Sequence, residues 1–395
     1  MLIIINSIIM NPASNDVVIA GASISGLICA HELAQNNHNV TVIEEHDEIG
    51  IPEKCDGLIS INALSSLGVI PNKKTIQNKI TGARFFSPSG KLIDVDSSNL
   101  DIVVLNRNKF DNELYENAIC AGAIVEKSTR FIKSDSYNSN IRIKSTSNQY
   151  DCKYFVDAMG VSSLMKKQKV GVLQAAKYIV KADWFEPNKV DLYFNQLLSP
   201  GFFTWVIPIN ENLAKVGIAG YGINSFNNLD YFLKDKKHTV LKKIACPIIV
   251  SGPIKTFIKN NIVSIGDSAA QTKPTTAGGI FSGGMAGLFA GQSLCKSLES
   301  HTNLLHIYEN RWRDTFGSEF NSTRLFRKIY DNLDNRHLDD IFDILSSSSD
   351  LQNLINNSGD FDFHSFTLLK ALGLKKITQL FNVVSSNEIK KLFNN

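Results

Sequence analysis

Two glycine-rich stretches and one cysteine hold the residue types whose spacing suits chemistry. The first stretch is GASISG at 21–26. Gly21 permits a tight turn, and Gly26 lets a helix pack closely on the strand before it. Ser23 occupies the middle position, where bare backbone normally approaches a pyrophosphate held at a helix N-terminus. Its hydroxyl can donate to a phosphate oxygen, so the loop keeps the character of an anion site. Glu44, ending the next apolar run, can accept the ribose hydroxyls of an adenosine half. The second stretch is IVSIGDSAAQTKPTTAGGIFSGGMAG at 262–287. Asp267 can accept from a sugar-alcohol hydroxyl, and the backbone N–H groups around Gly278 and Gly279 can face an anion or an electron-rich ring edge. The cysteine is Cys55 in PEKCDGLIS. It reads as a reactive thiol or as a small buried filler.

These residues need elements to hold them. Residues 16–20, DVVIA, form a short apolar run ending at the first glycine, as a buried strand does. Apolar residues recur at helical spacing over 27–35, Asn36, Asn37 and His38 break the pattern, and NVTVIEE reads as a second strand. Strand, glycine turn, helix and strand within about 30 residues make the βαβ unit that gives such a loop meaning. Residues 76–105 read as strands and turns, with SPSG at 87–90 as turn chemistry. A helix is predicted over 109–122, a strand over 123–126, a meander over 129–157 and a mostly β region over 175–257. A buried strand over 261–266 then leads into the second glycine cluster and a helix through Leu298. From about 303 the pattern is helical, with 358–363 as a connector.

The bulk properties narrow the class. A chain of 395 residues is long for one small core and suggests two domains or one large domain with insertions. Apolar residues are 43%, charged residues 20% and the net charge is +3, which gives no support for nucleic-acid binding. None of the six cysteines forms a C-x-x-C pair, so a metal site is not expected, and free thiols in a reducing, cytoplasmic compartment are. The apolar start, MLIIINSIIM, is too short to span a bilayer and lacks the positive flank of a signal peptide. Met10 is the expected natural start, which N-terminal sequencing of the native protein would test.

Taken together, G-x-S-x-x-G with Glu44, R-x-x-F-D at 107–111 and G-D…P-x-T-x-G-G at 266–279 resemble the FAD-dependent oxidoreductases of the aromatic hydroxylase type. More narrowly, PEKCDGLIS, SPSG, SPGFFTWVIP at 199–208 and KPTTAGGI at 273–280 are similar to the geranylgeranyl reductase family, above all the archaeal enzymes that saturate isoprenoid lipid chains. The resemblance runs from Asp16 to about residue 330. It implies an α/β (α+β) fold: a Rossmann-like FAD-binding domain, an inserted, mostly antiparallel β-sheet substrate domain and a helical C-terminal region. The expected boundaries are an extension at 1–15, a discontinuous FAD domain at 16–75, 106–170 and 258–300, a substrate domain at 76–105 and 171–257, and helices over 301–395.

The same resemblance implies roles for residues. Gly21, Ser23, Gly26 and Glu44 would hold the ADP half of FAD, with Arg107 near its phosphates or adenosine. Asp267 would bind the ribityl chain, and Gly278 and Gly279 would face the flavin's pyrimidine side. DAMG at 157–160 matches the family's short turn beside the dinucleotide, without its usual D-G form. Ser23 and Ala277 stand where the family often has glycine. Cys55 matches the family's C-x-G near the flavin ring and is the candidate catalytic residue. Phe202, Phe203, Trp205 and Pro208 match its aromatic segment, and a flat aromatic wall suits a long prenyl chain. The expected chemistry is hydride transfer from reduced flavin to one carbon of a prenyl double bond and a proton to the other. Alternatives are a flavin monooxygenase or epoxidase of the same fold and a non-catalytic prenyl-binding protein. Expected partners are an isoprenoid lipid and an electron donor (ferredoxin, deazaflavin, NAD(P)H or quinol), while the basic residues of the tail, Arg311, Arg313, Arg324, Arg327 and Lys328, read either as a peripheral membrane contact or as a solvated helix face.

Overall fold

Val17, Val18, Ile19 and Ala20 are buried on both faces of their strand, as only a central strand of a sheet covered on both sides allows. That strand, Asn15–Ala20, pairs in parallel with Gln149–Asp157 on one side and Val40–Ile43 on the other. Ile124–Glu126 extends the sheet beyond Val40–Ile43, and Ile262–Ser264 and Ile258–Lys259 extend it beyond Gln149–Asp157. The expected meander is present, because Phe131–Tyr137, Asn140–Ser145 and Gln149–Asp157 pair antiparallel in turn. The computed structural model describes residues 15–137, 140–167, 171–346 and 361–363. The expected start at Met10, the extension before residue 15, the first part of the 358–363 connector and the rest of the predicted helical tail lie outside the described residues.

A second sheet runs in the order Thr239–Ala245, Val172–Lys181, Leu213–Gly220, Thr204–Pro208, Lys189–Tyr193, Gly82–Phe86, Leu92–Asp96. Its pairings are antiparallel except that between Lys189–Tyr193 and Gly82–Phe86. A third, small sheet joins Leu58–Ser60, Ile102–Leu105 and Ile76–Ile80. Strands on either side of the expected boundary at 75/76 therefore pair with each other. The three strands bury Ile59, Ile80 and Val104 between the two large sheets, which apolar patterning within each strand cannot show.

The helices in chain order are α1 (Ile24–Gln35), α2 (Ile61–Ser66), α3 (Arg107–Cys120), α4 (Val161–Lys167), α5 (Ser225–Leu233), α6 (Ile280–Glu299), α7 (His306–Tyr330) and α8 (Asn335–Ser346). The glycines of α6 serve packing more than ligand contact. A Cβ at Gly287 would lie 2.2 Å from the Ser25 carbonyl oxygen, so only glycine lets α6 lie this close to α1. Along α7 the buried Tyr308, Trp312, Phe316 and Phe320 recur every four residues and form one stripe. Trp312 packs edge-on to Phe320, and its indole N–H donates to the Ser282 carbonyl of α6 at 3.0 Å. This stripe, α1, α6 and the first sheet share the largest core cluster. Helix α5 interrupts the stretch expected to be mostly β, because Leu229 and Leu233 share one face and bury it against the second sheet.

Candidate active site

Between the first and second sheets lies one cavity of about 1200 Å³. A pocket for a single small ligand is typically ~300–1,000 Å³, so this one exceeds the usual size.

At one end the strand Asn15–Ala20 turns into α1. Gly21 has φ +110°, and a Cβ there would lie 2.3 Å from the Ala158 carbonyl oxygen. Gly26 lies behind the loop, where a Cβ would meet the Gly21 carbonyl oxygen at 2.0 Å; it does not line the cavity. Ser23 caps α1 with φ −109°, and its hydroxyl accepts from Arg107 Nη2 at 3.3 Å. Glu44 lines the cavity and braces the loop: Oε2 accepts from the Ala22 N–H at 2.8 Å, and Oε1 accepts from the His46 N–H at 3.0 Å.

Arg107 starts α3, yet it is buried, not exposed as a helix-start arginine usually is. Its guanidinium donates from Nη2 to both Asp111 oxygens, at 2.8 and 2.9 Å. Burial alone would lower its pKa, but the Asp111 carboxylate and the Cys55 sulfur beside it outweigh burial and hold the guanidinium charged. Arg107 thus ties Ser23, Asp111 and Cys55 together on the cavity wall.

Asp267 sits in the turn that follows Ile262–Ser264. Gln271 holds that turn by accepting the Gly266 N–H at 2.7 Å, and Gln271 in turn donates to the Tyr308 hydroxyl of α7 at 2.9 Å. The Asp267 side chain opens into the cavity deep inside the protein. Burial pushes its carboxyl pKa up, and Arg107 partly offsets this. Gly278 and Gly279 line the cavity just before α6, and Ala277 beside them has φ +54°.

Cys55 lines the middle of the cavity, half-buried, with its sulfur accepting from the Gly57 N–H at 3.4 Å. Beyond it stand Phe202, Phe203 and Trp205. The two phenylalanines stack with centroids 4.0 Å apart, and Trp205 meets both edge-on at 6.2 and 6.3 Å. Pro208 is not part of this wall. It ends its strand, and its carbonyl accepts from Asn78 Nδ2 at 3.0 Å.

Several cavity residues lie outside the sequence expectation. Phe361 and Asp362 form part of the wall, and Lys273 Nζ donates to the Phe361 carbonyl at 2.8 Å. Ser60, the cap of α2, donates to Asp362 Oδ2 at 2.5 Å. Nothing local in the sequence marks residues 361–363, because they act through distant partners, Ser60 lying 302 positions away and Lys273 88. Two buried lysines, Lys177 and Lys215, lie behind the Cys55 loop. Their signal was available: VLQAAKYIVK and LAKVGIAG each carry a lysine inside an apolar strand.

The residues present fit a dinucleotide with a flavin. A glycine turn and a helix N-terminus face the cavity at one end, an acidic acceptor opens into it further along, and backbone N–H groups border it before α6. A family model described as an FAD binding domain matches residues 14–225. An uncharacterised protein of Methanocaldococcus jannaschii is 30% identical over 92% of this chain and 96% of its own length. The digeranylgeranylglycerophospholipid reductase of Methanosarcina acetivorans is 27% identical over 84% of this chain and 88% of its own. The crystal structure of a geranylgeranyl bacteriochlorophyll reductase-like protein of Thermoplasma acidophilum has a TM-score of 0.82 at 23% identity, covering 96% of this chain and 99% of that one. At that identity the likeness establishes the fold.

Proposed function

The chain belongs to the FAD-binding-domain family, in its geranylgeranyl reductase branch, and on that premise we propose that it saturates the prenyl chains of a digeranylgeranyl lipid. The observation that carries this reading is the continuity of this cavity. It joins the glycine loop and Asp267 to the wall of Phe202, Phe203 and Trp205, with Cys55 between them. Bound, reduced FAD supplies the hydride. Gly21, Ser23 and the start of α1 hold the pyrophosphate. Glu44 Oε1 is engaged by the His46 N–H and ring nitrogen, so Oε2 is the oxygen that would accept from ribose, and Asp267 would accept from a ribityl hydroxyl. Gly278 and Gly279, which line the cavity before α6, would face the flavin ring. The aromatic wall gives the prenyl chain apolar contact and keeps water from the alkene. The second alkene carbon needs a proton, and Cys55 Sγ is the candidate to hold it.

An external donor must re-reduce the cofactor, and the chain carries no second nucleotide loop that names it. We infer that so apolar a substrate brings the protein to a membrane surface. Among the described residues no helix is long and apolar enough to cross a membrane. The contact we infer is peripheral, at α7, where exposed Leu325 borders the cavity between exposed Arg324 and Lys328. Of the other arginines in this helix, Arg327 is buried, Arg313 is paired with Glu309, and exposed Arg311 donates to Gln292 Oε1 at 2.6 Å and lies over the Phe289 ring, away from the Leu325 stretch of the sequence. Flotation with anionic vesicles tests this contact, and loss of co-flotation in Arg324→Glu/Lys328→Glu is expected.

The deciding experiment is an anaerobic absorption spectrum. The protein is loaded with FAD, reduced chemically and mixed with an unsaturated digeranylgeranyl lipid. Flavin bands that bleach and return with the lipid support the reductase. Flavin that stays reduced until air is admitted points to oxygen chemistry instead. Failure to hold FAD leaves prenyl binding without redox chemistry. In the same assay Cys55→Ala should keep its flavin bands and lose lipid-dependent reoxidation; unchanged reoxidation removes Cys55 from the chemistry.

A further inference from the structure

Lysines are seldom buried unless paired, and this protein buries two side by side. Lys177 is 1% exposed and Lys215 is fully buried. They lie on the paired strands Val172–Lys181 and Leu213–Gly220, where Lys215 stands opposite Ile179. Residues 177 and 179 share a face, so both ammonium groups emerge from the same side of the sheet. Both reach one loop. Lys177 Nζ donates to the Cys55 carbonyl at 2.9 Å and to Asp56 Oδ1 at 3.1 Å. Lys215 Nζ donates to Glu53 Oε1 at 2.6 Å and to the Asp56 carbonyl at 2.8 Å. The other Asp56 oxygen accepts from Trp205 Nε1 at 2.9 Å. Neither lysine lines the cavity; Glu53, Cys55, Asp56 and Trp205 do.

The fold alone gives little reason for these lysines. Removing an ammonium from water is costly, and apolar residues of similar volume in place of a buried ion pair often leave a fold as stable or more so. Burial pushes the Lys177 pKa down, and Asp56 together with Cys55, Cys246 and Glu53 more than restores it, so the cation persists beneath the loop. What the pair achieves is geometric. Its donors fix both the backbone around Cys55 and the carboxylate that grips the wall tryptophan.

We propose that Lys177 and Lys215 are positioning residues that clamp the Cys55 loop to the aromatic wall, with Asp56 as the joint, so that the thiol and Trp205 keep one separation across the cavity. The kinetic consequence rests on the reductase reading. A chain seated on Trp205 then presents its double bond at a fixed offset from Cys55. Misplacement of about 1 Å can cost about 100-fold in rate while leaving binding nearly intact.

The test compares Lys177→Met and Lys215→Met in a Cys120→Ser background, since Cys120 is the exposed cysteine. The FAD-loaded proteins are treated with N-ethylmaleimide, and Cys55 alkylation is followed by peptide mass. Turnover of the lipid and melting temperature are measured in parallel. The expected result is alkylation faster by about 10-fold, kcat lower by about 10- to 100-fold and KM within about three-fold, together with a lower melting temperature, because each change leaves a loop carboxylate without its cation. Folded variants with parental alkylation and kcat overturn the proposal, and so does a lower melting temperature alone. Should either methionine variant fail to fold, Asp56→Asn decides. It keeps the side chain's shape and removes the charge, and alkylation at the parental rate overturns the clamp. A parent protein that reduces no lipid sinks the reductase reading, while the alkylation rates still judge the clamp.

Discussion

Ser23 and Ala277 both replace glycines that the family often has, and their backbones distinguish them. At Ser23 φ is −109°, ordinary for any L-residue, and the hydroxyl meets Arg107. The serine therefore costs the loop no strain and links it to the Arg107–Asp111 pair. Ala277 has φ +54°, in the left-handed region, where a Cβ costs roughly 1–2 kcal/mol. Ala277→Gly should therefore raise stability by about 1 kcal/mol, less the extra freedom glycine gains in the unfolded chain. A denaturant midpoint measured with unchanged slope checks this, and no increase would mean that the surroundings already compensate the strain. The sequence shows that both glycines are missing. It cannot show which of the two replaced a glycine with positive φ, because φ is set by the turn's partners. Arg107 illustrates the same limit. R-x-x-F-D places it near the loop, but only the packing of α3 brings its guanidinium to Cys55 as well as to Ser23.

At the scale of elements, periodicity located the strand–loop–helix unit, the meander and the long C-terminal helix, because each hides one face from water along a continuous run. Where an element's reason lies elsewhere in the chain, local pattern is silent. Residues 361–363 are the sharpest case. Three successive residues each have a separate anchor: Phe361 is held by Lys273, Asp362 by Ser60, and Phe363 stacks on Phe316 with centroids 5.6 Å apart. Together they pin this segment across α2, the turn before α6, and α7. A hydrogen bond to a charged group contributes about 1.5–3 kcal/mol. Because the segment is short, that loss should open it locally before it affects the whole fold. In Asp362→Ala, amide exchange at 361–363 and at the start of α2 should quicken, with little change in the global melting temperature. A large fall in melting temperature with uniform exchange would instead make the Ser60–Asp362 contact part of the global core.

Across the whole molecule the cavity is the joint between the two large sheets, and its lining explains why the protein should be incomplete as a folding unit without a ligand. Arg107 and Asp111 stand beside the Ser23 loop and Asp267 opens into the cavity further along, where burial already pushes its carboxyl pKa up. Groups of this kind gain partners when a dinucleotide fills the space. A ligand that binds the folded state alone stabilises it by RT ln(1 + [L]/Kd), about 2.7 kcal/mol at 100 times Kd. Unfolding entropy near 60 °C is about 2.1 cal/mol/K per residue, so for a chain of this length that free energy corresponds to a rise in melting temperature of about 3 °C. Stripped protein titrated with FAD should therefore melt progressively higher. ADP, which reaches only the end at Gly21, Ser23 and Glu44, should give a smaller rise. Equal rises with both would mean that the flavin half finds no seat at Asp267, Gly278 and Gly279. The flavin would then lie outside the space shared with Phe202, Phe203 and Trp205, and hydride transfer to a chain on that wall would have no geometry to support it.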